Sequence, residues 1–131
     1  MNERERIAYY LSEAERFAEA AMAEFERWEE EKIDVIIRDA AEKGWNMVLQ
    51  ATKALLLGKG FPEERIKTHR DRRLALDSLK NEGPKVRSLG LRDRFGAREH
   101  HLHERCLYDG EYIPKRVEED ILIVKSILRM L

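Results

Sequence analysis

The chain has 131 residues, of which 43% are hydrophobic and 39% charged, and its formal net charge is −1; this length suits a single domain with its own core, so we predict one domain over residues 1–131. It contains no run of about 18 apolar residues that could span a membrane, and no apolar leader follows the charged start. The one cysteine, Cys106, excludes an internal disulfide and fits a reducing compartment, so we expect a cytoplasmic protein.

Charge is distributed unevenly along the chain. Residues 1–64 carry 9 Lys and Arg against 15 Asp and Glu, whereas residues 65–105 carry 12 against 6 and hold all four histidines. A basic, histidine-bearing segment after an acidic half favours a polyanionic partner. Equally, the two regions could neutralise each other within one subunit or across a dimer. The high content of Glu and Arg is typical of heat-adapted proteins and also of thin bundles with much surface.

Apolar residues recur at helical spacing throughout, without the alternation of a strand, and predict an all-α fold. The first helix is expected from about Arg4 to Lys32, with one apolar stripe from Ile7 to Trp28. Its last turn carries three acids at positions 29–31, which oppose the helix dipole. We therefore expect a break or bend near Ile33.

The second helix is predicted from about Val35 to Leu57, with Asp34 as its N-cap. It is the most apolar segment of the chain, so it should be the central element of the core. Its end is marked by Gly58-Lys59-Gly60, a typical C-cap signal.

Three further helices complete the predicted antiparallel four- or five-helix bundle. A short third helix is capped by Thr68 and ends near Leu79, with its apolar residues facing inward: Leu74, Leu76 and Leu79. A fourth should run from about Val86 to Leu107. A fifth follows Pro114 and runs from Lys115 to Leu131.

The residues best suited to chemistry lie between Arg92 and Arg105. Four of them follow one another at steps of four, three and four residues and so share one helical face: Arg94, Arg98, His101 and Arg105. Arginine binds phosphate oxygens through paired N–H groups, and histidine exchanges protons near neutral pH. Together they are the minimum needed for metal-free cleavage of a phosphodiester. The alternative is a solvated face that is simply rich in histidine.

Metal binding is the rival chemistry in this segment. None of its three histidines is spaced four residues from another, and no cysteine partner stands at zinc spacing: His100, His101 and His103. Glu99 and His103 do have the four-residue spacing, so a two-ligand site stays open. We nevertheless expect neither a metal nor another cofactor, and we expect Cys106 to be a core residue.

Three segments resemble the archaeal PaREP family of the HEPN superfamily: Ala41 to Trp45, Ala51 to Leu56, and Leu102 to Gly110 before a terminal helix that begins with proline. The resemblance covers residues 6–131. It implies a small helical bundle that forms a homodimer, with a cleft between the subunits. Many members of the superfamily are metal-independent ribonucleases, so RNA or a nucleotide is the implied ligand.

The superfamily signature is an arginine, four to six intervening residues and a histidine near the end of the penultimate long helix. Arg98 and His103 fit this pattern, and the setting Leu102-His103-Glu104 favours His103 as the equivalent histidine. Arg94 with His100 or His101 also satisfies the spacing.

The resemblance thus implies two catalytic residues, His103 as general acid and base and Arg98 as the group that stabilises phosphate. Arg94, His101 and Arg105 would draw in the RNA backbone. On an ideal α-helix Arg98 and His103 lie about 140° apart. A shared site therefore needs the long reach of Arg98, a distorted helix or a second subunit.

Two positions depart from the family pattern. Toxin members carry a tyrosine two residues after the histidine, where a partner nucleotidyltransferase modifies it, but this chain has Arg105 there. The residue after the arginine is Glu99, whose charge is unfavourable beside phosphate. The alternative function is therefore a non-catalytic interaction protein, either a homodimeric scaffold or the partner of a nucleotidyltransferase.

Overall fold

The computed structural model describes residues 2–79, 97–108, 115 and 117–119, with the backbone alone at residues 101 and 105–108. The elements are four helices and a short 3-10 turn, in the order α1 (Glu3–Glu31), α2 (Asp34–Gly58), the 3-10 turn (Glu63–Arg65), α3 (His69–Leu79) and a π-helix (Glu99–Tyr108). The described residues include no strand, which confirms the all-α prediction. None of the helices formed by these residues combines the length and hydrophobicity needed to cross a membrane.

Helix α1 begins and ends with well-defined caps. The side chain of Asn2 accepts a hydrogen bond of 2.8 Å from the backbone N–H of Glu5. At the other end Lys32 adopts a left-handed conformation with φ of 55°, and its N–H donates to the carbonyl of Trp28 at 2.7 Å. The predicted break after the three terminal acids is thus confirmed.

The first two helices form an antiparallel hairpin around a core of small and large apolar residues. On α1 the buried positions are Ala14, Ala18, Ala21 and Phe25, which lie on the predicted stripe. Three alanines leave room for α2 to approach closely, and α2 fills the space with large side chains such as Ile37, Met47 and Leu56. The prediction that α2 is the central core element is confirmed.

The ends of α2 show one correct and one wrong prediction. Asp34 is the first helical residue and not the cap; Ile33 occupies the cap position and makes no side-chain cap bond, while Asp34 pairs with Arg38 at 3.6 Å. The C-terminal glycine signal is confirmed, because Gly60 has φ of 95°. Phe61 N–H donates to the Leu56 carbonyl and Gly60 N–H to the Leu57 carbonyl, the bond pattern of a Schellman motif.

The turn after α2 is held against the start of α1 by polar contacts. The hydroxyl of Tyr10 donates to one oxygen of Glu63, and Arg6 pairs with the other oxygen at 3.0 Å. Lys53 of α2 lies over the ring of Tyr10, with its Nζ 5.3 Å from the ring centroid. Burial, followed by the hydrogen bond to Glu63, raises the pKa of Tyr10 to about 12.

Helix α3 has the predicted cap but not the full predicted apolar face. The Thr68 hydroxyl accepts from the N–H of Asp71 at 3.0 Å, and Leu76 and Leu79 are buried. Leu74 is exposed instead, because it stands two residues before Leu76 and so points away from the face that packs on the core.

The expected fourth α-helix differs from the structure in kind. Ala97 and Arg98 are helical, but Glu99–Tyr108 forms a π-helix, in which each N–H bonds the carbonyl five residues earlier. Within it Leu102 is fully buried. The earlier part of this predicted helix and the side chain of Cys106 lie outside the described residues. Of the predicted fifth helix, residues 115 and 117–119 are described; they are helical, and Val117 is buried.

Candidate functional site

Two histidines and a tryptophan meet where α2, α3 and the π-helix come together. The ring of His103 stacks on Trp45, with centroids 5.3 Å apart and planes inclined by 25°. His69, the first residue of α3, meets His103 edge to face at 5.2 Å and Trp45 at 5.5 Å. Trp45 is buried and both imidazoles are half-buried, so the rings are fixed by packing on one side and reach towards the surface on the other.

Arg72 fixes the orientation of His69. One guanidinium nitrogen, Nη1, donates to the carbonyls of Ile66 and Lys67 at 2.9 and 3.0 Å, and Nη2 lies 2.9 Å from Nδ1 of His69. A guanidinium has donors only, so Nδ1 must be the acceptor. Burial, followed by the positive charge of Arg72, lowers the pKa of His69. Burial also lowers the pKa of Arg72.

A partly buried ion pair joins α3 to the π-helix. Nη1 of Arg73 donates to both oxygens of Glu99, at 3.0 and 3.1 Å. The resemblance implies that the negative charge of Glu99 lies beside a phosphate, where it would be unfavourable. In the structure this charge is paired with a cation from another helix. We call Trp45, His69, Arg72, Arg73, Glu99 and His103 the histidine cluster.

The π-helix changes the relation between Arg98 and His103. In an α-helix residues four apart lie one above the other, whereas in a π-helix the bond pattern brings residues five apart into that position. Arg98 directly precedes the π-helix. His103 lies within this helix, five residues after Arg98. Arg98 and Glu99 are both buried, each with only 7% of its surface exposed. A helical distortion, one of the three conditions for a shared site, is therefore present.

The polar contacts of His69 and Glu99 engage atoms that would otherwise be available to bind a metal. With Nδ1 of His69 accepting from Arg72, the proton of the neutral ring stands on Nε2, so neither nitrogen offers a lone pair to a metal. Both oxygens of Glu99 accept from Arg73, which makes it an ion-pair partner. In the part of the chain that the structure describes, no group of three His, Cys, Asp or Glu side chains could hold a metal ion.

The structure places the five predicted site residues differently. Arg98 lies directly before the π-helix, and His103 lies within it, five residues later, stacked on Trp45 of α2. Arg94 lies outside the described residues, and so do the side chains of His101 and Arg105. The predicted shared polar face stays a prediction, since Arg98 is the one of its four members whose side chain is described; that side chain is buried.

His100 supports choosing His103 from the alternatives in the signature. Its side chain is exposed and pairs with Glu104 at 3.1 Å. It thus lies at the surface, away from the packed rings of the cluster.

Sequence reasoning missed His69, Arg72, Arg73 and Trp45 as members of the histidine cluster. The sequence did contain one signal for His69 and Arg72. His69 directly follows the predicted cap Thr68 and stands three residues before Arg72, which is the spacing of neighbours on a helix. The contact between α3 and the π-helix, 26 residues apart in sequence, had no local signal.

Comparison of the chain with protein family models, with curated proteins and with solved structures finds no match. The site is therefore interpreted from its own residues.

Proposed function

We propose that this protein is a HEPN-like RNA-binding protein that acts as a metal-independent endoribonuclease. The observation that supports this most is the convergence of His103 with a second imidazole, His69, and with the guanidinium groups of Arg72 and Arg73. Among the described residues of this region, the arginines at 72, 73 and 98 outnumber the carboxylate Glu99, so positive charge is in excess even with both imidazoles neutral. Such a region would attract a phosphodiester, and its imidazoles would exchange protons with the attacking hydroxyl and the leaving oxygen.

The proposed reaction is transfer of a phosphodiester to the neighbouring 2′-hydroxyl of RNA. His103 accepts the proton of the 2′-hydroxyl, whose oxygen then bonds to phosphorus while the bond from phosphorus to the 5′-oxygen breaks. The 5′-oxygen takes up a proton from imidazolium, and the products are a 2′,3′-cyclic phosphate and a 5′-hydroxyl. Arg98 would stabilise the charge that develops on the phosphate oxygens.

The proposal includes a homodimer and a wider RNA-binding surface. In a dimer with a shared cleft, two copies of His103 could act as base and acid in the same reaction. Arg94, His101 and Arg105 would bind the backbone of the RNA, which makes binding strongly dependent on salt concentration.

The test is incubation of the purified protein with labelled single-stranded RNA in EDTA. His103→Phe keeps a ring to stack on Trp45 but cannot exchange a proton, so we expect it to bind RNA and not to cleave it. His100→Ala is the matched control, because it removes an exposed histidine of the same helix and should leave cleavage unchanged. Cleavage by His103→Phe at the rate of the wild type would refute the assignment of His103.

A second candidate function is that of a non-catalytic interaction protein, a homodimeric scaffold or the partner of a nucleotidyltransferase. The observation that favours it is the burial of Arg98 and Glu99, since side chains that contact a large substrate are usually accessible. In this case the wild type would neither cleave nor bind RNA in EDTA. Light scattering would still detect a dimer, with a mass near twice 15.5 kDa.

A further inference from the structure

His69 has three neighbours that restrict its ring in different ways. Trp45 and His103 pack against the ring at centroid distances of 5.5 and 5.2 Å, and Arg72 holds its Nδ1 at 2.9 Å. Because the two ring contacts come from α2 and from the π-helix, His69 of α3 occupies the point where all three helices meet. Rotation of this ring about its side-chain bonds would break the hydrogen bond and disturb both packing contacts.

The partner of His69 is itself fixed to the backbone. Arg72 is buried, and its Nη1 donates to the carbonyls of Ile66 and Lys67 in the turn before α3. The same turn is closed by Thr68, whose hydroxyl caps α3. A series of contacts therefore links the turn, through Arg72, to His69 and then to the ring of His103.

The hydrogen bond also determines where the proton of His69 stands. Since the guanidinium can only donate, Nδ1 has no proton and the neutral ring carries its proton on Nε2. Adding a proton at Nδ1 would direct an N–H at the N–H of Arg72 and place two positive charges side by side. His69 is thus suited to remain neutral while a neighbouring imidazole changes its charge.

The charged groups around His69 act, on balance, against a positive charge on its ring. Arg72 and Arg73 from α3 and His103 from the π-helix disfavour a charge on His69, while Glu99 from the π-helix favours it. Trp45, its contact from α2, is uncharged. Burial adds a further cost for the charged ring, and the balance lowers the pKa of His69.

We infer that His69, held by Arg72 as the neutral Nε2–H tautomer, is a positioning residue that fixes the ring of His103 against Trp45. It leaves His103 as the imidazole of the pair that exchanges protons. The catalytic consequence of this arrangement rests on the proposed ribonuclease function. The arrangement of the two rings does not, and it can be measured without any activity.

The first test is nitrogen NMR of the imidazole rings in the full-length wild-type protein. We expect His69 to show a protonated Nε2 and an unprotonated Nδ1 at neutral pH and to remain neutral below the pH at which an unperturbed histidine gains a proton. A proton on Nδ1 of neutral His69 would overturn the inference.

The second test compares two variants of similar size, His69→Asn and His69→Leu. Asn can accept the hydrogen bond from Arg72 and Leu cannot, while both lack the ring. The imidazole signals of His103 should shift or broaden in both variants, and more strongly in His69→Leu. Unchanged His103 signals in both folded variants would overturn the positioning role.

Kinetics on the same proteins separates positioning from general stability. We expect kcat for RNA cleavage to fall about 10- to 100-fold in His69→Leu, with KM unchanged, and to be partly restored in His69→Asn. An unchanged kcat in folded His69→Leu would contradict the inference while leaving the proposed function intact. Absence of cleavage by the wild type would refute the proposed function, and the NMR spectra would still decide the arrangement of the rings.

Discussion

Replacing Arg73 by alanine should weaken the fold by removing the partner of a buried carboxylate. Arg73 bonds both oxygens of Glu99, whose side chain is 9% exposed, whereas that of Arg73 is 38% exposed. Removing one member of a fully buried ion pair costs about 3–5 kcal/mol. Because water reaches Arg73 and can partly solvate the remaining carboxylate, we expect a loss of about 2 kcal/mol in the free energy of unfolding.

The chain offers a matched control in Arg27 and Glu31. This pair is closer, at 2.6 Å, but its side chains are 57% and 42% exposed. If distance decided the contribution, Arg27→Ala would be the more harmful change. Since solvent screens exposed pairs, we expect Arg27→Ala to leave the free energy of unfolding almost unchanged.

Urea and thermal unfolding followed by circular dichroism measure both effects. For a domain of this size, about 2 kcal/mol corresponds to a decrease in Tm of about 7 °C. The double variant Arg73→Ala, Glu99→Gln should be more stable than Arg73→Ala alone, because it no longer buries an unpaired charge. A loss in Arg73→Ala no larger than that in Arg27→Ala would refute the reasoning from burial.

Three further predictions concern single side chains. In a spectrophotometric titration one tyrosine should ionise near pH 12, and Tyr10→Phe should remove that step. Since the pKa of Tyr10 is raised in the folded protein, the stability that Tyr10 contributes is complete below pH 10 and is lost as the pH rises towards 12. Thr68→Ala removes the cap of α3 and should lower the free energy of unfolding by about 1 kcal/mol in urea, whereas Thr68→Ser should retain most of it. For His69 the folded pKa is lowered, so its contribution is present above about pH 6.5 and is lost as the pH falls; the decrease in stability between pH 7 and 5 should be smaller in His69→Asn than in the wild type.

The sequence predicted the elements whose cause is local. The apolar stripe of α1 and the break after its three terminal acids are present in the structure, and so are the Thr68 cap and the glycine signal at the end of α2. Each depends on residues within a few positions of one another. Asp34 shows the limit of such signals, since it is a residue type suited to capping that stands one position too late.

The site could be predicted only in part, because its contacts join segments far apart in sequence. Arg98 and His103 were chosen through the resemblance to the superfamily signature, which lies within one segment, and their catalytic roles stay a prediction. Arg73 could not be found in this way, because its partner Glu99 lies on another helix. The role of Trp45 was missed for the same reason. A tryptophan at a core position gives no local sign that two imidazoles will pack on it.

The π-helix depends both on local sequence pattern and on contacts with segments far away in the sequence. Its residues have ordinary helical periodicity, so local patterning predicts an α-helix in which Arg98 and His103 point in different directions. The same segment also makes three tertiary contacts: Leu102 is buried in the core, Glu99 pairs with Arg73, and His103 stacks on Trp45. An α-turn directs residues four apart to one face, whereas a π-turn also accommodates a fifth. Leu102 and His103 lie three and four positions after Glu99 and would share a face with it in an α-helix as well. What the wider turn changes is therefore the relation of Arg98 to His103, five positions apart, which it brings closer to one face.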